Sequence, residues 1–145
     1  MEESMSFIRE ILGGPLPGGG GPSQYSPLSL AFLGDAVYSL VIRTRVLAEG
    51  NRQAAKLHRD ASGIVNAGAQ AAAGRAIQSL LTEEEAAVYR RGRNANPEHR
   101  AKHATDEDYR EATALEALLG WLFLQGEEER LLFLVEEGLK LTGKG

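Results

Sequence analysis

Apolar residues recur at helical spacing from Leu28 to Ala48, and the pattern opens on Ser26-Pro27, a capping serine before a proline at the first helical position. Gly50 closes it, which predicts a helix of about 33 Å at 1.5 Å per residue. A second helical region is expected from about Gln53 to Leu80. Its stretch 67–76 is rich in Ala and Gly, so another helix is expected to approach closely there. The same glycines, Gly63, Gly68 and Gly74, weaken its intrinsic helicity. Thr82 and Glu85 have the spacing of a capping box and start a helix to about Arg91. Residues 92–104 contain Gly, two Asn and Pro and are expected to be a loop. Thr105 caps a further helix to Gln125, closed by Gly126, and a last helix is expected from about Glu128 to Leu141. No segment alternates with period two over a useful length. The fold class expected is all-α and single-domain, without internal repeats.

The N-terminal part reads differently. Residues 5–12 have the pattern of a short amphipathic helix, and residues 13–22 are too rich in Gly and Pro for regular structure. The glycines do not form a phosphate loop, because no GxxxxGK[ST] pattern and no preceding strand is present. Residues 1–26 are therefore expected to be an extension with a linker, and 27–145 the functional domain.

Two carboxylates stand out against this apolar background. Asp35 is the only charged residue between Glu10 and Arg43, and Glu116 the only one between Glu111 and Glu127. Each sits in the most apolar stretch of its helix, so both are expected to be buried. Burying an ionised carboxylate costs several kcal/mol unless it is paired or bound to metal. No Lys or Arg lies within a helical turn of either acid. A structural ion pair would need a partner from another helix; a shared divalent cation would satisfy both acids at once. The oxygen-only donor set suits Mg²⁺, with Mn²⁺ a workable substitute, and the absence of cysteine and of a nearby histidine disfavours zinc. Gly34 and Gly120, near the two acids, point to close packing of these two helices, with plain core packing as the competing explanation.

Charge adds a second feature. The net charge is −4, which alone argues against nucleic acid. Yet Arg90, Arg91, Arg93, Arg100 and Lys102 face one acid, Glu98, in a single stretch that also carries His99 and His103. Cations at a helix C-terminus favour the helix dipole, which accounts for the first arginines but not for those beyond the helix. With Asn94 as a further donor, the segment suits phosphate and minor-groove contacts on an RNA duplex. Lys56, His58 and Arg59 could extend this patch, but such residues are more often plain surface charges. The absence of cysteine, of a basic-then-apolar leader and of any run of about 20 apolar residues fits a cytoplasmic protein without a membrane span.

The segment LAFLGDAVY, residues 30–38, resembles the signature helix of the ribonuclease III catalytic domain, and ATALEALLGWLFL, residues 112–124, resembles its second acidic helix. RRGRNA (90–95) and HATDEDYREAT (103–113) are similar to the Mini-III branch, whose members lack the double-stranded-RNA-binding domain. The length here is expected to leave no room for that domain. The resemblance implies a helical homodimer that cuts double-stranded RNA with Mg²⁺ and leaves 5′-phosphate and 3′-hydroxyl ends. It also implies a 23S ribosomal RNA precursor as substrate, with a ribosomal protein on that substrate as a possible aid. Carried over by position, Asp35 and Glu116 are the catalytic metal ligands. Ala31 and Thr113 stand where full-length ribonuclease III enzymes carry Glu and Asp, which leaves the number of metals open. Phe32 matches an aromatic residue that packs across the dimer; an ordinary core phenylalanine is the competing reading.

The expected chemistry is in-line phosphodiester hydrolysis, with Arg90, Arg91, Arg93, Asn94, Lys102 and His103 on the RNA. Two rivals remain open from sequence. One is a non-catalytic module that binds structured RNA or the ribosome. The other is a helical nucleotide hydrolase, disfavoured by the absence of paired ExxE and ExxD acids.

Overall fold

The computed structural model describes residues 24–95 and 106–144. The expected N-terminal helix and Gly/Pro linker lie outside these residues, as do Lys102 and His103. Among the described residues there are six α-helices, one 3₁₀ turn and no strand. The chain forms α1 (Pro27–Ala48), α2 (Ala54–Ser62), α3 (Ala67–Ala76), the turn Gln78–Leu80, α4 (Glu83–Asn94), α5 (Asp106–Leu124) and α6 (Glu128–Leu141).

The helix starts follow from local chemistry. The Ser26 hydroxyl accepts from the Ser29 N–H at 3.1 Å, satisfying a donor that the first turn leaves free. At α4 both halves of the capping box form: Glu85 N–H donates to Thr82 Oγ1 at 3.1 Å, and Thr82 N–H donates to Glu85 Oε1 at 2.9 Å. Two expectations need correction. The region 53–80 is not one continuous helix; Gly63 ends α2, and Asn66 caps a new helix by accepting from Ala69 N–H at 2.9 Å. Asparagine competes for backbone donors and so favours a cap over a helix interior. The second correction is that Gly92, Arg93 and Asn94 are helical, not loop. Gly92 is tolerated there because it fits against α5, where a Cβ would meet Ala117 Cβ at 2.9 Å and Ala114 Cα at 3.0 Å.

The core centres on α5, which buries eleven of its residues, including Leu115, Leu118, Leu119 and Leu122, against α1, α3, α4 and α6. Each buried Leu contributes roughly 1.5–3 kcal/mol of transfer free energy. The most extensive helix pair is α1 with α5. Gly120 permits it: a Cβ there would lie 2.1 Å from the Leu30 carbonyl oxygen. The small residues of α3 serve the close approach the sequence suggested, with Ala73 against Gly138 of α6 and Gly74 beneath the Tyr89 hydroxyl. Arg45 pairs with Glu136 at 2.5 Å, joining α1 to α6. This frame sets the backbones of α1 and α5 side by side at the level of the two isolated acids.

Candidate active site

Asp35 from α1 and Glu116 from α5 come together on one cleft, near enough for the charge of Asp35 to act on Glu116. They line one open cleft of about 190 Å³ with Ala31, Phe32, Tyr109 and Thr113. Among the described residues neither is paired with a Lys or Arg, so no described cation supplies the separate structural ion pairs of the competing expectation. Burial is less complete than expected. Asp35 is exposed and Glu116 only half-buried, because the cleft opens to solvent on the Asp35 side. Burial pushes the Glu116 carboxyl up to about 7, the Gln70 amide pulls against that shift, and Asp35 adds to it by charge and by hydrogen bonding. The phenol of Tyr38 lies nearby and is pushed up to about 12, first by burial and then by Glu116.

Two carboxylates this close repel one another unless a proton or a cation lies between them. Their oxygens suit a hard divalent ion, and no group of three His, Cys, Asp or Glu among the described residues forms a closed metal cage. A hard divalent ion is characteristically held by one or two protein carboxylates and completes its shell with water and substrate phosphate. Ala31 offers no ligand, and Thr113 Oγ1 donates to the Tyr109 carbonyl at 2.9 Å, within its own helix.

Gln70 was missed by sequence reasoning. It lies on α3, is only 4% exposed, and its Nε2 donates to Glu116 Oε2 at 3.0 Å. The signal was present, because Gln70 is the sole residue other than Ala or Gly from 67 to 74.

The basic residues separate into two kinds. Arg90, Arg91 and Asn94 are exposed near the C-terminus of α4. Arg93 is not free as expected: its Nε donates to Glu111 Oε2 at 2.5 Å, and the Tyr89 hydroxyl donates to Glu111 Oε1 at 2.5 Å. Glu111 is buried, so Arg93 neutralises a carboxylate inside the α4–α5 contact. Arg75 pairs with Asp108 at 2.8 Å, and Arg75, Arg90 and Arg93 line a cleft of about 440 Å³ beside this network. Phe32 is 83% exposed, which excludes the core reading. Of the remaining cations considered, Lys56, His58 and Arg59 are exposed on α2.

This helical fold is that of a ribonuclease III catalytic domain, and the Ribonuclease III domain family matches residues 28–127. The Mini-ribonuclease 3 of Thermoanaerobacter sp. (strain X514) is 47% identical over 116 residues, covering 80% of this chain and 82% of that protein. The Mini-ribonuclease 3 of Brevibacillus brevis is 44% identical, covering 83% and 90%. A crystal structure of a Fusobacterium nucleatum protein is similar with a TM-score of 0.77 at 33% identity, covering 83% of this chain and 94% of that one. The chain belongs to the ribonuclease III family, in its Mini-ribonuclease 3 branch, and is an endoribonuclease.

Proposed function

We propose that this endoribonuclease hydrolyses double-stranded RNA in a Mg²⁺-dependent reaction, with Asp35 and Glu116 as the metal-binding and catalytic carboxylates. One observation carries the reading: two acids from distant parts of the sequence share a single solvent-open cleft with no Lys or Arg among its described lining residues. Asp35, on the open side, is accessible to a phosphate and its waters; Glu116 is held from behind by Gln70. When bound there, Mg²⁺ supplies a lowered pKa for attacking water and neutralises charge on the scissile phosphate. Arg90, Arg91 and Asn94 anchor neighbouring RNA phosphates, and Arg93 contributes only those guanidinium N–H groups that Glu111 leaves free. Phe32 and the apolar face of α1 are the surface of a homodimer, in which each protomer cuts one strand. The likeness to Mini-ribonuclease 3 proteins supports a 23S ribosomal RNA precursor as the substrate, in the cytoplasm, with a ribosomal protein on that RNA as an aid. No helix among the described residues is long and apolar enough to cross a membrane.

The test is an end-labelled RNA duplex incubated with the protein in Mg²⁺, Mn²⁺ or chelator, with the product ends mapped. Cleavage in either metal, 5′-phosphate products and none in chelator are expected. Asp35→Asn should lose at least about 100-fold in rate, more than the loss of a group that merely supports a ligand. Undiminished cleavage by that variant, or by the wild type in chelator, overturns the reading.

A further inference from the structure

We propose that Gln70 is a positioning residue for Glu116: its amide fixes the rotation of that carboxylate, so that Asp35 and Glu116 present their oxygens to one divalent cation. The proposal rests on the reading of Glu116 as a metal ligand. Gln70 is the one long side chain in an alanine–glycine stretch of α3, and it is buried. Placing an amide in such a position costs about 1–3 kcal/mol unless it is hydrogen-bonded. Here its bond runs to Glu116 Oε2 at 3.0 Å. Facing a carboxylate, the amide can contribute only its N–H side. That chemistry suits the task. A Lys or Arg in the same place would neutralise Glu116 and repel an incoming cation. A neutral donor orients the carboxylate and leaves its charge for the metal. Partners that orient ligating groups in this way are commonly worth about 10–100-fold in metal affinity.

The experiment is calorimetric titration of the metal-free full chain with Mn²⁺, for wild type, Gln70→Met and Glu116→Gln. Met keeps the length of the side chain and removes the donor. The Mn²⁺ dissociation constant of Gln70→Met is expected to rise about 10–100-fold. Its circular dichroism, and its affinity for an RNA duplex in chelator, should match wild type. Wild-type Mn²⁺ affinity in Gln70→Met, with affinity lost in Glu116→Gln, overturns the positioning role alone. Unchanged affinity in Glu116→Gln overturns the metal-ligand reading itself. A loss of RNA affinity in chelator equal to the loss of Mn²⁺ affinity makes Gln70 merely structural and overturns the proposal. If Gln70→Met does not fold, Gln70→Asn, whose amide falls one methylene short, is read by the same criteria.

Discussion

Gly34 rests directly against the backbone of Glu116: a Cβ on Gly34 would lie 1.7 Å from the Glu116 carbonyl oxygen. The contact ties the residue preceding Asp35 to the residue carrying the second acid. The two carboxylates meet because the two backbones do, and Gly120 against Leu30 repeats the arrangement one turn away. A glycine costs about 1 kcal/mol relative to Ala inside a helix, and here that cost is offset by the close crossing of α1 and α5.

Gly34→Ala should therefore destabilise the protein although Ala is the better helix former. The obstructing atoms belong to backbone, so α1 and α5 must separate. Overpacking of this kind costs typically 1–3 kcal/mol, and the shortness of the contact puts the expected loss at about 3 kcal/mol. Urea denaturation measures it. A variant as stable as wild type would show that the helices do not cross this closely.

Most of this architecture was legible because it is written in local signals. Ser26-Pro27, the Thr82–Glu85 box and Gly126 each act within a turn of themselves, and the last helix spans Glu128–Leu141 as expected. The isolation of Asp35 and Glu116 was equally visible, since charge in an apolar helix conflicts with burial. What was not legible depends on neighbours distant in sequence. The half-open setting of the acids follows from how α1 and α5 pack, and the engagement of Arg93 with Glu111 from how α4 and α5 pack. Helical periodicity around Asn66 did not reveal that its side chain would cap a new helix and break the region 53–80.

The same distinction separates the arginines. Arg93→Ala leaves Glu111 buried with Tyr89 as its remaining hydrogen-bond partner. A buried acceptor deprived of a partner costs about 1–3 kcal/mol, and solvent access at Arg93 places the expected loss at the lower end. Arg91→Ala exposes no such group and should leave stability within about 0.5 kcal/mol of wild type. It should instead weaken RNA binding and reduce the salt slope by about one. Denaturation curves paired with binding isotherms at several salt concentrations separate the two. Equal stability of the two variants would deny Glu111 its dependence on Arg93.

Acid stability should depend on Glu85. Arg130 donates to it from Nε and Nη2, each at 2.8 Å, and Arg130 also reaches the Leu80 carbonyl at 2.6 Å. These bonds hold the Glu85 carboxyl below its usual range against the opposing effect of burial, and Thr82 lowers it further. A carboxyl depressed in the folded state binds a proton more readily when unfolded. Its stabilisation is thus present above the unfolded value of about 4.3 and is lost as pH falls through the folded one. Between the two, Glu85→Gln should show a shallower fall of unfolding free energy, by up to about 1.4 kcal/mol per pH unit. Denaturant titrations from neutral pH to about 3 would show it, and identical slopes would remove Glu85 from the acid transition.

Phe32 bears on assembly. It projects from α1 one turn before Asp35, and the same helix presents Leu33, Val37, Leu40 and Val41 to an apolar groove of about 430 Å³ completed by Phe123, Leu131 and Leu132. In a monomer Phe32, Leu40 and Leu132 stay in water, and exposed apolar side chains on and beside such a groove suit the self-complementary contact of the proposed homodimer. Truncating an aromatic anchor at such a contact costs about 2 kcal/mol or more. Phe32→Ala should accordingly raise the dimer dissociation constant by about 30-fold. Sedimentation across a concentration series reads the shift. Because Phe32 also borders the carboxylate cleft, cleavage by the variant should recover as protein concentration is raised. A wild-type dimer constant for Phe32→Ala would move the interface elsewhere, and a concentration-independent loss of cleavage would make Phe32 part of the cleft alone.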